Sequence, residues 1–170
     1  MRGFQLWINL PAREKMKPAA YRDVQPEAIP QVEMDAGIAV KVIAGALATG
    51  GQDVVGPIQG VSTDPLFLDV RLPAGARFVN SLAAEHSAFI YVYEGRVAVG
   101  VAEEAHPLVS HEAGVLSSGE QVEVRAEGGA WSVYVNGRPL VDRESHAVAE
   151  RIADGLVTPG VHWPSEADEV

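Results

Sequence analysis

Five histidines, no cysteine and a surplus of carboxylates bound the chemistry open to this sequence. Its densest polar group is Glu103, Glu104, His106, His111 and Glu112, within EEAHPLVSHE. Imidazoles and carboxylates at such spacing suit a weak, adventitious divalent-cation site, but they equally suit a loop of solvated acidic residues, and the loop is the expected reading. His86 stands alone ahead of SAFIYVYEG, and a single imidazole there is expected to be a surface or hydrogen-bonded structural group rather than a ligand. His146 and His162 lie apart from both, towards the C-terminus. The sequence has no G-x-S-x-G elbow, no G-x-x-x-x-G-K phosphate loop and no dinucleotide fingerprint. Without cysteine there is no thiolate nucleophile, zinc–sulfur centre or disulfide, which fits a reducing compartment. Trp7, Trp131 and Trp163 follow no common period, and packing is expected to account for them before ligand stacking does.

The elements that would have to position these residues are almost all strands. GFQLWINL alternates Phe4, Leu6, Ile8 and Leu10 against Gln5, Trp7 and Asn9, which predicts a strand over residues 3–10 at the start of the chain. A proline-broken connector follows, because residues that precede proline are biased towards extended backbone. From Gly37 the alternation recurs in GIAVKVIAG, PLFLDVRL, ARFVNS, AFIYVY, RVAVGVA, QVEVRA and AWSVYVN. Pro73-Ala-Gly75, Glu94-Gly95, Ser117-Ser-Gly119 and Glu127-Gly-Gly129 supply the turns. Short strands at about ten-residue spacing with no helix between them predict an all-β, antiparallel sandwich or barrel. Leu66, Leu68, Val70, Ile90, Val92 and Val133 are the expected core. One helix is predicted late, from Ser145 as N-cap to Gly155, with a disordered acidic tail after it.

One hundred and seventy residues suit one domain with a real core, and no apolar run is long enough for a membrane-spanning helix. No signal-peptide pattern opens the chain, so a soluble, cytoplasmic protein is expected. A net charge of −10 opposes polyanion binding, and the short basic stretch Arg13–Lys17 is interrupted by Glu14. No direct nucleic-acid partner and no membrane partner are expected.

AFIYVYEGRVAVG resembles the central hairpin of a cupin barrel, a double-stranded β-helix. GFQLWINLPAREKM resembles the segment that ends the first barrel of the two-cupin pirin family, and YRDVQPEAIP its linker. VKVIAG, GPIQG, LDVRLPAGARF, SAFIYVYEG and GRPL follow in the family's order, so the resemblance runs from Gly3 to Leu140. It implies a domain map: 1–12 as the last strand of a missing N-terminal cupin, 13–36 as linker, 37–141 as the C-terminal cupin barrel, and 142–170 as an atypical helix and acidic tail. A truncated gene, or a start codon set inside a longer reading frame, is the expected origin. The alternative is a genuine short protein whose first strand pairs with its own barrel or with another copy.

The resemblance also implies iron, held in full-length members by a His-x-His and a His-x-Glu pair in the first barrel. Those ligands would lie upstream of Gly3, and none carries over to a position here. The general cupin motif would place a His-x-His pair at Leu82 and Ala84 and a glutamate near Ser87 or Ala88, where no side chain can serve. No catalytic, cofactor-binding or metal residue is therefore assigned, and no cofactor is expected in this chain. The expected function is a non-catalytic or protein-binding pirin-like cupin. Its partner would be a second copy, associating through residues 3–10. The alternatives are part of an iron-dependent quercetin 2,3-dioxygenase whose catalytic half is elsewhere, and a barrel that binds a small molecule. After GRPL the sequence VDRESHAVAERIADGLVTPGVHWPSEADEV departs from the family's pattern, which puts the family's interdomain contact in doubt.

Overall fold

Alternating burial organises this computed structural model, which describes residues 4–60, 62–83, 86–101, 104–116, 119 and 121–137, with side chains for all of these except Trp131 and 133–137. The strands are β1 (Gln31–Met34), β2 (Ile38–Ala44), β3 (Ala46–Leu47), β4 (Val54–Val55), β5 (Leu66–Leu72) and β6 (Arg77–Ser81), followed by β7 (Ser87–Glu94), β8 (Arg96–Val99), β9 (His106–Val109), β10 (Glu112–Val115), β11 (Gln121–Ala126) and β12 (Ala130–Gly137). Three short 3₁₀ turns lie at Ala12–Glu14, Pro26–Ala28 and Asp35–Gly37.

The strands form a six-stranded sheet in the order β1-β2-β5-β12-β7-β10 and a four-stranded sheet in the order β6-β11-β8-β9, with β3 and β4 as a separate pair. All strand-to-strand ladders among the described residues are antiparallel; β1–β2, β3–β4 and β8–β9 pair as sequence neighbours, and the other paired strands come from separated parts of the chain, as in a jelly roll. Successive side chains on a strand point to opposite faces, so Ile38, Val40 and Val42, then Leu68, Val70 and Leu72, then Ile90 and Val92 turn inward from the large sheet. From the small sheet they meet Phe78, Val97, Val99, Val122 and Val124 in one continuous core. The chain passes from β7 in the large sheet to β8 in the small one by a turn at Gly95, whose φ is +86°. A Cβ at Gly95 would collide with the Gly129 carbonyl, so both the backbone angle and the space favour glycine there.

Of the expected core, Leu68, Val70, Ile90 and Val92 are buried, and Leu66 is half-buried and packed against them. Val133 pairs in register with Asp69 and Tyr91, and its side chain is outside the described ones. The helix expected over residues 145–155 and the acidic tail also lie outside the described residues.

Three expectations need correction. Residues 4–10 form no strand: they alternate well, but ladder pairing needs a neighbouring edge, and none receives them. The barrel begins before residue 37, because β1 lies within the expected linker and pairs Gln31 to Met34 with Lys41 to Ile38. EEAHPLVSHE is no open loop either, since it contributes β9 and β10 on either side of a turn at Ser110 and His111.

Candidate functional site

The polar group that looked most suited to chemistry is dispersed by that turn, because β9 pairs with β8 in the small sheet and β10 with β7 in the large one. His106 opens β9, whereas His111 lies in the turn after it with a left-handed φ of +74°. Glu112, just past the turn, accepts a hydrogen bond from the Val109 N–H at 2.8 Å. Glu104 is exposed and Glu103 lies outside the described residues. Among the described residues, no group of three or more His, Asp or Glu side chains comes together.

The barrel interior is similarly poor in ligands where the resemblance would place them. Leu82 packs against the core, Ala88 is buried within it, and Ser87 is exposed at the start of β7. Ala84 is outside the described residues. His86 is half-buried just before β7 and donates its backbone N–H to the Ala83 carbonyl at 2.9 Å. The buried polar side chains are Thr63, Asn80, Ser132 and Glu123. Asn80 Nδ2 and Thr63 Oγ1 lack hydrogen-bond partners. An amide, two hydroxyls and one carboxylate already held by two arginines do not supply the imidazole and carboxylate set that an iron site of this kind requires, so the buried donors among the described residues do not fit it.

The distinctive feature is the outer face of the large sheet. β7 buries Ala88, Ile90 and Val92 and turns Phe89, Tyr91 and Tyr93 outward, where Phe67 of β5 and Ile43 of β2 also lie half-buried. A register shift in the β12–β7 ladder pairs Trp131 with Glu94 and Ser132 with Val92, so the ladder is irregular beside Tyr93. Tyr93 donates its hydroxyl hydrogen bond to Asp69 Oδ1 at 2.8 Å, and the Tyr91 hydroxyl lies 3.3 Å from His111 Nδ1. The two rings form a cradle that Phe4 enters. Its ring centroid lies 5.6 Å from that of Tyr91, nearly perpendicular at 75°, and 5.3 Å from that of Tyr93, tilted by 54°. Such edge-to-face geometry brings the positive edge of one ring towards the negative face of another.

Phe4 anchors residues 4–10 through these ring contacts, and it remains 46% exposed. Trp7 is 84% exposed, so packing does not account for it as expected, and Ile8 is exposed as well. Farther along, Glu14 accepts a hydrogen bond from the Ser62 hydroxyl and pairs with Lys17 at 3.3 Å. The Ser62 bond, aided by Lys17 and Arg13, holds the Glu14 carboxyl below its ordinary pKa. Arg22 donates to the Pro57 carbonyl at 2.8 Å. Sequence reasoning missed the cradle, although AFIYVY carried its signal: aromatic residues occupied every second position where a solvated face would carry polar ones.

The outer face of the small sheet is built otherwise. Glu123, only 8% exposed, lies between Arg77 at 2.7 Å and Arg125 at 3.1 Å. The Arg77 hydrogen bond holds the Glu123 carboxyl below its ordinary pKa, while Glu123 raises that of Arg77. Arg96 and Glu127 form a looser pair at 3.6 Å. These are compensated charges, suited to a solvated surface.

The model of the pirin C-terminal cupin domain matches residues 67–146. This chain carries a pirin-family C-terminal cupin. It is 43% identical over 141 residues to a pirin-like protein of Caulobacter vibrioides, an alignment covering 82% of this chain and 48% of that protein. It is 39% identical over 140 residues to a Pseudomonas aeruginosa protein provisionally named quercetin 2,3-dioxygenase, covering 82% and 49%. The chain thus spans about half the length of the curated relatives it matches. The crystal structure of a quercetin 2,3-dioxygenase from Acinetobacter baumannii superposes with a TM-score of 0.70 at 22% identity, over 88% of this chain and 54% of that one. That likeness shows the fold: the pirin cupin is an all-β barrel, as its two sheets indicate. Among the described residues no helix is long and apolar enough to cross a membrane.

Proposed function

We propose that this pirin-family cupin is a non-catalytic, protein-binding domain that holds no cofactor of its own and works in the cytoplasm. The observation that carries the reading is the contrast between a ligand-poor interior and an outer sheet face lined with Phe67, Phe89, Tyr91 and Tyr93. A partner offering an apolar surface would gain about 25 cal/mol for each Å² of such area removed from water. On this reading residues 1–12 belong with a first cupin half, a linker from residue 13 leads to β1, the second barrel runs from β1 to residue 141, and 142–170 lie beyond it. Its partner is a second copy, recruited through the segment at residues 3–10, with no nucleic acid and no membrane involved.

The names of the relatives support a second reading, in which this domain belongs to an iron-dependent quercetin 2,3-dioxygenase whose metal ligands are supplied by another domain. Purified chain supplied with ferrous iron and quercetin in air tests the first reading, and the bases upstream of Met1 test the second, in which an in-frame His-x-His and His-x-Glu pair would supply those ligands. No quercetin loss above the protein-free control, together with substoichiometric metal after purification, supports the binding domain. Saturable oxygen uptake dependent on the chain, or about one iron per chain, overturns it.

A further inference from the structure

We infer that the Tyr91–Tyr93 cradle is an acceptor site for an aromatic side chain presented on an extended segment, and that its occupant in the assembled protein is Phe4 of a second copy, exchanged about a two-fold axis. The inference rests on the self-association proposed above and assigns it to particular residues.

The structure shows that the cradle accepts this ring, because Phe4 of the same chain sits against both tyrosines at 5.6 and 5.3 Å. It also shows how little the intramolecular contact achieves. Phe4 remains 46% exposed, Trp7 and Ile8 stay exposed on the same segment, and residues 4–10 belong to no ladder. Large apolar side chains grouped in this way favour burial against another surface. Exchange repeats the same ring contacts between chains, so it needs no new complementarity, and it brings Trp7 and Ile8 of each copy towards the other. Pro11 and the short 3₁₀ turn at Ala12–Glu14 follow directly, and the Glu14 pairing with Ser62 holds the base of the segment on its own barrel. Residues 4–10 can therefore swing while residues from Glu14 stay in place. The cradle itself is held from behind by the Tyr93 bond to Asp69, and Tyr91 is placed beside His111.

Complementation between two defective chains tests this. The Phe4→Ala chain keeps the cradle and lacks the ring; the Tyr91→Ala/Tyr93→Ala chain keeps the ring and lacks the cradle. The full parent chain is expected to show twice its monomer mass in light scattering. Each variant alone is expected to dissociate at least tenfold more readily, and an equimolar mixture to restore a heterodimer in native mass spectrometry. A parent that is monomeric at every concentration overturns both this inference and the self-association reading. A Phe4→Ala chain that dimerises like the parent, or a mixture with no heterodimer, overturns the inference alone. Should the double variant not fold by circular dichroism, Phe4→benzoylphenylalanine decides by photo-crosslinking. Adducts between chains support exchange, and adducts confined within one chain overturn it.

Discussion

The two sheets present the same kind of inner surface and opposite kinds of outer surface. Inside, Val40, Leu68, Val70 and Ile90 of the large sheet meet Phe78, Val97, Val122 and Val124 of the small one without distinction of type. Outside, the small sheet shows Arg77, Gln121, Glu123 and Arg125, whereas the large sheet shows Ile43, Phe67, Phe89, Tyr91 and Tyr93 beside a polar end formed by Lys41, Asp69 and Arg71. Strand alternation places side chains on two faces, but only their chemistry tells which face meets water. A polar outer face can stay solvated. An aromatic one is a surface awaiting cover, and Phe4 supplies only part of that cover.

The largest expected effect comes from the shared interior. Phe78→Ala removes a buried ring from the small sheet and is expected to destabilise the barrel by about 3–5 kcal/mol, measured by urea unfolding. A loss below about 1 kcal/mol would mean that the small sheet does not close the core. The outer faces should then diverge. Phe67→Ser with Phe89→Ser is expected to change stability by only about 1 kcal/mol but to reduce binding of an environment-sensitive apolar dye clearly, while Arg125→Ser leaves dye binding unchanged. Equal dye responses would erase the distinction.

On the charged face the expected signature is its dependence on pH. Because Glu123 has a lowered pKa when folded, its ionised form contributes stability that is fully present above the ordinary glutamate value of about 4.3. That contribution disappears as pH falls through the lower, folded value. The melting temperature of Glu123→Gln should therefore lie below the parent's at neutral pH, with the gap closing below about pH 4. A gap that widens in acid would show that the Arg77 and Arg125 contacts do not stabilise the carboxylate. The smallest effect is expected at Arg96→Ala, which breaks a pair exposed on both sides and should shift stability by no more than about 0–1 kcal/mol, screened further by salt.

Much of the barrel was legible because its strands carry their own pattern. GIAVKVIAG, PLFLDVRL and QVEVRA alternate apolar and other residues over enough positions to define an inner face, and they became β2, β5 and β11. β1, β3 and β4 were not legible, since a few residues such as QVEM or VV carry too little alternation to be told from connector. β9 and β10 were hidden for another reason. His106, Pro107, His111 and Glu112 make that stretch look solvated, yet its backbone pairs with β8 and β7. Residues 4–10 gave the opposite error, an alternating segment without a ladder.

The candidate site divides in the same way. The composition of the Phe89-Ile90-Tyr91-Val92-Tyr93 run is a local property, and with the repeated alternation it determined the β class, the inner core and the excess of aromatic residues on one strand. The sequence also excluded thiolate and phosphate-loop chemistry, since those need residues that are not there. Only the tertiary structure decided that His106 opens a strand of the small sheet while His111 falls in the turn leading to the large one, that Glu123 falls between two arginines, and that Phe4 reaches a cradle on β7. Each of these depends on which distant segments pair across a sheet and in what register, and loop closure over such separations is governed by the burial of the whole core rather than by the residues at the contact.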